Sequence, residues 1–233
     1  MNVMTAPSTP ITVHHLNNSR SQRILWLLEE LGLPYEVVRY QRDPQTMLAP
    51  PELKKIHPLG KSPVVTVDGL TLVESGAIIE TLVERYGDGR LAPPAGSAEA
   101  VRYRYWLHYA EGSAMPPLLL KLVFSRIAQA RMPFFAKPIA EGIVGKTMAS
   151  FVQPQIDQHL AFMEGELQQR DWFAGPEFTA ADVQMSFPLE AAQSRAGLTA
   201  QTHPRLTDWL ARIHARPAYQ RAIERGGEYS LLK

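Results

Sequence analysis

The sequence predicts two units: an α/β domain on a mixed four-stranded sheet, then an all-helical domain. Three observations lead there. Up to about residue 90, strand-like runs and helical spacing follow one another in the order β-α-β-α-β-β-α. The stretch Leu91-Ala92-Pro93-Pro94-Ala95-Gly96-Ser97 then reads as a linker. Beyond it no convincing strand appears. The expected organisation is a loose tail at 1–9, the α/β domain at 10–90, the linker at 91–97 and the helical domain at 98–233.

Residues 11–16 (ITVHHL) read as a buried first strand. The polar turn Asn17-Asn18-Ser19-Arg20-Ser21 offers several candidate N-caps. Ile24, Leu25, Leu27, Leu28 and Leu31 follow helical spacing, and Gly32 stands at the usual C′ place. Pro34 starts a second strand, Tyr35 to Tyr40; the proline-rich segment 41–58 holds at most a short helix around Glu52–Ile56. Then comes the stretch that organises the domain, Gly60 to Gly76. Two β-branched runs flank Asp68-Gly69, the strongest short-range hairpin signal, because a type I′ turn needs positive φ at both central residues. Pro63 has no N–H to give a ladder and belongs at the strand's first residue. A cis Ser62–Pro63 bond is predicted, aiming the backbone N–H and C=O of Ser62 into open space as a docking edge for an extended peptide. Glu74-Ser75 sits where the next helix begins, offering a carboxylate, a hydroxyl and unpaired backbone donors. The set suits a small peptide carrying both an amine and a carboxylate.

In the second half, helices are expected over 98–115, 118–131, 135–170 in pieces, 180–196 and 205–224. The expected breaks are Pro116-Pro117, Pro133, Pro138, Pro154, Gly175-Pro176 and Pro217. Thr179-Ala180-Ala181-Asp182 is a capping box, with Phe178 and Val183 as its hydrophobic staple, so Asp182 reads as structural.

Composition narrows the chemistry. In 233 residues, 24 Lys+Arg stand against 23 Asp+Glu, which argues against a nucleic-acid or polybasic membrane partner. With Cys 0 there is no disulfide, no enzyme thiol and no Cys-based metal site. Residues 1–10 lack signal-peptide character and no window approaches a membrane span, so a cytoplasmic location is expected. His14 and His15 point to opposite faces of a strand and cannot share an ion. Residues 140–147 (AEGIVGKT) fit only a relaxed phosphate-loop pattern, with alanine for the first glycine and no strand before it. No G-x-S-x-G elbow is present.

The residues Lys61-Ser62-Pro63-Val64, Glu74-Ser75-Gly76 and Phe178-Thr179-Ala180-Ala181-Asp182, in that order after a strand-helix start, resemble the soluble glutathione transferases. Residues 49–60 (APPELKKIHPLG), Glu111-Gly112-Ser113 and Met185-Ser186-Phe187-Pro188-Leu189 are similar to a fungal and bacterial branch. The resemblance implies a thioredoxin-like first domain and the glutathione transferase fold. It implies that glutathione lies along Ser62-Pro63, with Lys61 at its glycyl carboxylate, Glu74 at the γ-glutamyl ammonium and Ser75 at the γ-glutamyl carboxylate. Read without the family, Ser75 is a plain N-cap and Glu74 a solvated strand end. Glutathione would be co-substrate, with no metal or other cofactor, a hydrophobic electrophile as partner and a homodimer as assembly.

The thiolate is the nucleophile, and a thiol of pKa about 8.5 is only slightly ionised at neutral pH. Families of this fold place Tyr, Ser or Cys near the end of the first strand to lower that pKa. Here the first tyrosine is Tyr35 and cysteine is absent, leaving Asn17, Asn18, Ser19 and Ser21. Counting back from Gly32, the family's catalytic serine falls on Asn18, a departure from the pattern. Ser19 is the favoured hydroxyl donor, Asn18 the alternative through its amide; Ser19 or Ser21 as a plain helix cap stays open. Tyr109 and Ser113 are the candidates for the electrophile's pocket. Two rival functions are weighed: reduction of disulfides or peroxides with two glutathiones, and a non-catalytic carrier of glutathione conjugates.

Overall fold

The computed structural model describes residues 7–232. Strand β1 (Ile11–Leu16) is central. It pairs in parallel with β2 (Tyr35–Tyr40) and antiparallel with β3 (Val64–Val67), which pairs with β4 (Leu70–Val73), giving the order β2-β1-β3-β4. The parallel β1–β2 pair needs a crossover, supplied by helix α1 (Ser21–Leu31). Gly32, at φ 67°, closes that helix in the left-handed region. Asp68 and Gly69 both take positive φ, 49° and 74°, as the predicted hairpin requires. The Ser62–Pro63 bond is cis. Helix α2 (Ser75–Tyr86) follows the hairpin directly, so Ser62 and Ser75 lie at the same end of β3 and β4.

Of the stretch read as a loose tail, residues 1–6 lie outside the described residues. Ser8 and Thr9 are held: the Ser8 hydroxyl donates to Asp68 Oδ1 at 2.7 Å and the Thr9 N–H at 2.9 Å.

The helical half holds two long continuous rods where the prolines predicted breaks. Helices α3 (Ala98–Tyr109) and α4 (Met115–Gln129) join through a π turn at Ala110–Ala114. Helices α5 (Lys137–Thr147) and α6 (Gln153–Gln169) join through another at Met148–Val152. The prolines explain both. Pro116, Pro117 and Pro154 have no N–H for the carbonyl four residues back, so the preceding turn widens instead of stopping. The phosphate-loop look-alike 140–147 lies inside α5.

Helices α7 (Ala180–Arg195), α8 (Pro204–His214) and α9 (Pro217–Gly226) complete the half. The capping box forms: Asp182 Oδ2 accepts the Thr179 N–H at 3.0 Å and Thr179 Oγ1 the Ala181 N–H at 3.3 Å. Helices α1, α7 and α9 carry the joint between halves. Trp26 of α1 packs against Phe178 and Tyr219, with ring centroids 5.7 and 5.1 Å away. The joint fixes the start of α1, and with it the site.

Candidate functional site

The 61–63 segment, the start of α2 and the π turn at 110–114 converge on one cavity of about 300 Å³. Its walls bring together all five residues predicted for peptide binding, Lys61, Ser62, Pro63, Glu74 and Ser75. Arg20, His57, Glu111 and Leu119 complete the wall that matters here. The Ser62 hydroxyl donates to the His14 carbonyl at 2.8 Å and accepts the Leu16 N–H at 3.2 Å. That side chain is anchored to β1, so its backbone is what remains for a ligand. Glu74 caps α2 at φ 64°, a conformation costly for a residue with Cβ, on the order of 1–3 kcal/mol, and typical of functional positions. Its carboxylate is exposed beside the positive end of the α2 dipole.

Beneath the cavity lies a charged cluster that the sequence reading did not single out. Arg23 is 2% exposed and makes three contacts, two of them to the helical half. It donates to Ser75 Oγ at 2.6 Å, to the Gln184 carbonyl at 2.6 Å, and to Glu111 in a very short contact. Arg20 Nε donates to both Glu111 oxygens at 2.9 and 2.8 Å, and its guanidinium stands 5.1 Å from the Phe187 ring centre. Burial acts to raise the Glu111 pKa, but Arg23 and Arg20 outweigh it and hold the carboxyl below its ordinary range. Glu111 is therefore ionised, presented by the turn that Pro116 and Pro117 widen. One signal was available. An arginine at the N-cap and another in the first turn of a helix oppose its dipole, and such an arrangement needs an anion nearby.

Neither candidate sulfur donor lines the cavity. Ser19 is 3% exposed, and its hydroxyl lies 2.7 Å from Ser21 Oγ, which lies 2.9 Å from His15 Nδ1. His15 also bonds the Gly226 backbone. A neutral ring donating to Gly226 must accept at Nδ1, so Ser21 donates to His15 and Ser19 donates to Ser21. Ser19 also accepts the Ser21 N–H at 3.2 Å, which is local capping at the helix start. Its proton is thus directed inward. Asn18 sits at φ 51°, and its side-chain oxygen accepts the Ser230 N–H at 2.6 Å.

Burial lowers the His15 pKa to about 4, with Arg39 adding to the effect. The unfolded chain takes up that proton near pH 6.5, the fold only near 4, so stability is lost as pH falls through this window. Urea unfolding should weaken by about 3 kcal/mol from this group between pH 7 and 4. Histidine 15 to glutamine (H15Q) should flatten that part of the profile.

Tyr109 and Ser113 are not on the cavity wall either. The Tyr109 hydroxyl meets His159 Nδ1 at 2.5 Å, and its ring packs against Trp106 and Phe162 between α3 and α6. Ser113 is half-buried on the π turn, two residues from Glu111. Among the described residues no group of His, Asp and Glu could hold a metal, and no helix is long and apolar enough to cross a membrane.

Comparison with known proteins agrees with this geometry. Residues 9–84 match the family described as "Glutathione S-transferase, N-terminal domain", and residues 125–217 match "Glutathione S-transferase, C-terminal domain". The chain is 38% identical over 215 residues to "Glutathione S-transferase 3" of Schizosaccharomyces pombe, covering 92% of this chain and 87% of the relative. It is 33% identical over 222 residues to "Glutathione S-transferase 1" of Saccharomyces cerevisiae, covering 92% and 94%. Among solved structures, a glutathione S-transferase from Actinobacillus pleuropneumoniae superposes with a TM-score of 0.79 at 34% identity, covering 96% of each chain.

Proposed function

The chain belongs to the glutathione S-transferase family, and from that premise we propose that it binds glutathione in the Ser62–Ser75 cavity and adds its thiolate to a hydrophobic electrophile. The observation that carries the proposal is the meeting of Lys61, Ser62, Glu74 and Ser75 on one wall. Extended glutathione can pair with the Ser62 backbone. Lys61 then reaches its glycyl carboxylate, and Glu74 its ammonium. Ser75, at the N-terminus of α2 and braced by Arg23, meets the γ-glutamyl carboxylate. With an aryl halide, the sulfur–carbon bond forms as halide leaves, and the thiol proton passes to water.

The proposal includes a detoxifying role in the cytoplasm and a homodimer. Val101 and Tyr105 on α3 and Phe162 on α6 form an exposed apolar strip suited to a second copy. Sedimentation of the wild type should give twice the chain mass; a monomer would remove that part of the proposal.

Calorimetry with glutathione and turnover with a chlorinated dinitrobenzene test the main reading. Binding and conjugation are expected, and Ser75→Ala should weaken glutathione binding about tenfold, the loss of one charge-assisted hydrogen bond. Absence of binding by the wild type would reject it. Binding with turnover only of a hydroperoxide or a mixed disulfide would move the reaction to reduction.

A further inference from the structure

The glutathione reading accounts for both carboxylates and the ammonium of the ligand but leaves its sulfur without a charged partner. We infer that the Arg20 guanidinium is the donor that holds this sulfur as a thiolate; the inference rests on the glutathione reading above.

Four observations converge on it. Arg20 lines the cavity, and its side chain is 34% exposed, so it is reachable yet partly withdrawn from water. That position strengthens its attraction for an anion relative to bulk solvent. Its orientation is set from two sides, by Glu111 on Nε and by the Phe187 ring. Both terminal NH₂ groups are left without a protein partner among the described residues. Finally, the neighbouring hydroxyl donors are committed, and Asn18 does not line the cavity. The Ser62 hydroxyl donates to His14 and Ser19 donates to Ser21. Glu111, being ionised, can only accept.

Charge balance points the same way. Arg20 and Arg23 share the single carboxylate of Glu111, so the cluster carries one uncompensated positive charge. Arg42, close enough to feel Arg20, adds to it. Across the cavity Lys61, His57 and Glu74 face the other parts of the ligand. A thiolate beside Arg20 neutralises the excess charge. The thiol gives its proton to water, the sulfur stays anionic against the guanidinium, and its lone pair then attacks the electrophile as the leaving group departs. Glu111 acts as a positioning residue for Arg20.

The test is the ultraviolet thiolate absorbance of enzyme-bound glutathione titrated against pH, with turnover measured over the same range. The wild-type midpoint should lie below the free-thiol value of about 8.5. Arg20→Gln should raise it by about one pH unit, the usual size for losing one nearby opposite charge. Turnover below the wild-type midpoint should then fall about tenfold and recover in alkali, with Arg20→Lys restoring most of the shift. Ser19→Ala should move the midpoint less than Arg20→Gln does. Arg23 still pairs with Glu111 in these variants, so folding is retained. An unmoved midpoint in Arg20→Gln, with or without weaker glutathione binding, overturns the inference while leaving the glutathione reading intact. So does a larger shift in Ser19→Ala. No glutathione binding by the wild type removes both readings together.

Discussion

Methionine at position 23 is expected to lower the unfolding free energy by about 3–5 kcal/mol, the range for removing one partner of a buried, hydrogen-bonded ion pair. Arg23 is sealed between the halves, so its loss strands polar groups at three places at once. The Gln184 carbonyl on α7 loses its 2.6 Å donor, Ser75 Oγ on α2 loses its brace, and Glu111 keeps only Arg20. Methionine fills much of the volume without supplying a proton. The expected result is therefore a polar rather than a cavity effect, and Arg23→Lys should recover part of it. Unfolding in urea measures the loss. A double-mutant cycle of Arg23→Met with Glu111→Gln should return a coupling of about 1–3 kcal/mol. Additive single effects would mean that the very short Arg23–Glu111 contact contributes nothing. Because Ser75 is braced by the same guanidinium, Arg23→Met should also raise the half-saturating glutathione concentration in the residual folded protein.

That cluster marks how far the sequence could be read. Features written into a few neighbouring residues were legible. Asp68-Gly69 announced its positive-φ turn, Gly32 its helix end, and Thr179–Asp182 its capping box, because each depends on backbone geometry within one turn of chain. The cavity wall was legible for a related reason: Ser62 and Ser75 bracket a single hairpin. Arg23 and Glu111 are 88 residues apart, and nothing local says that the π turn carrying Glu111 faces the start of α1. The proline rule failed at 116–117 and 154 because proline removes a donor from the turn before it. A helix anchored on both sides can widen around that gap instead of ending. Ser19 shows the remaining limit. Its chain position beside a helix start suits a sulfur donor, but the direction of a hydroxyl proton depends on His15 and Gly226, which meet it only in the fold.

The same distinction between local and distant contacts sets the size of the second large effect. Asp182→Ala should destabilise the protein by about 4 kcal/mol, well above the roughly 0.5–2 kcal/mol of a helix cap alone. The carboxylate is fully buried and gathers donors from three places. Oδ2 takes the Thr179 N–H within the box. Oδ1 takes the Phe173 N–H and the Trp209 indole N–H, each at 3.1 Å, tying the start of α7 to the preceding loop and to α8. Removing the carboxylate leaves the Thr179 N–H and hydroxyl, the Phe173 N–H and the Trp209 indole N–H unpaired, whereas Thr179→Ala leaves only the Ala181 N–H without its acceptor. The ratio of the two losses therefore separates a cap from a hub. Burial pushes the Asp182 pKa up to about 6 against the pull of those donors. Its folded pKa lies above the unfolded value, so the group favours folding most when protonated, and its contribution declines as pH rises from about 4 to 6. Asp182→Asn keeps one acceptor oxygen and carries no charge, so it should cost less than alanine and abolish that slope. Equal losses for Asp182→Ala and Thr179→Ala in urea unfolding would reduce Asp182 to an ordinary cap.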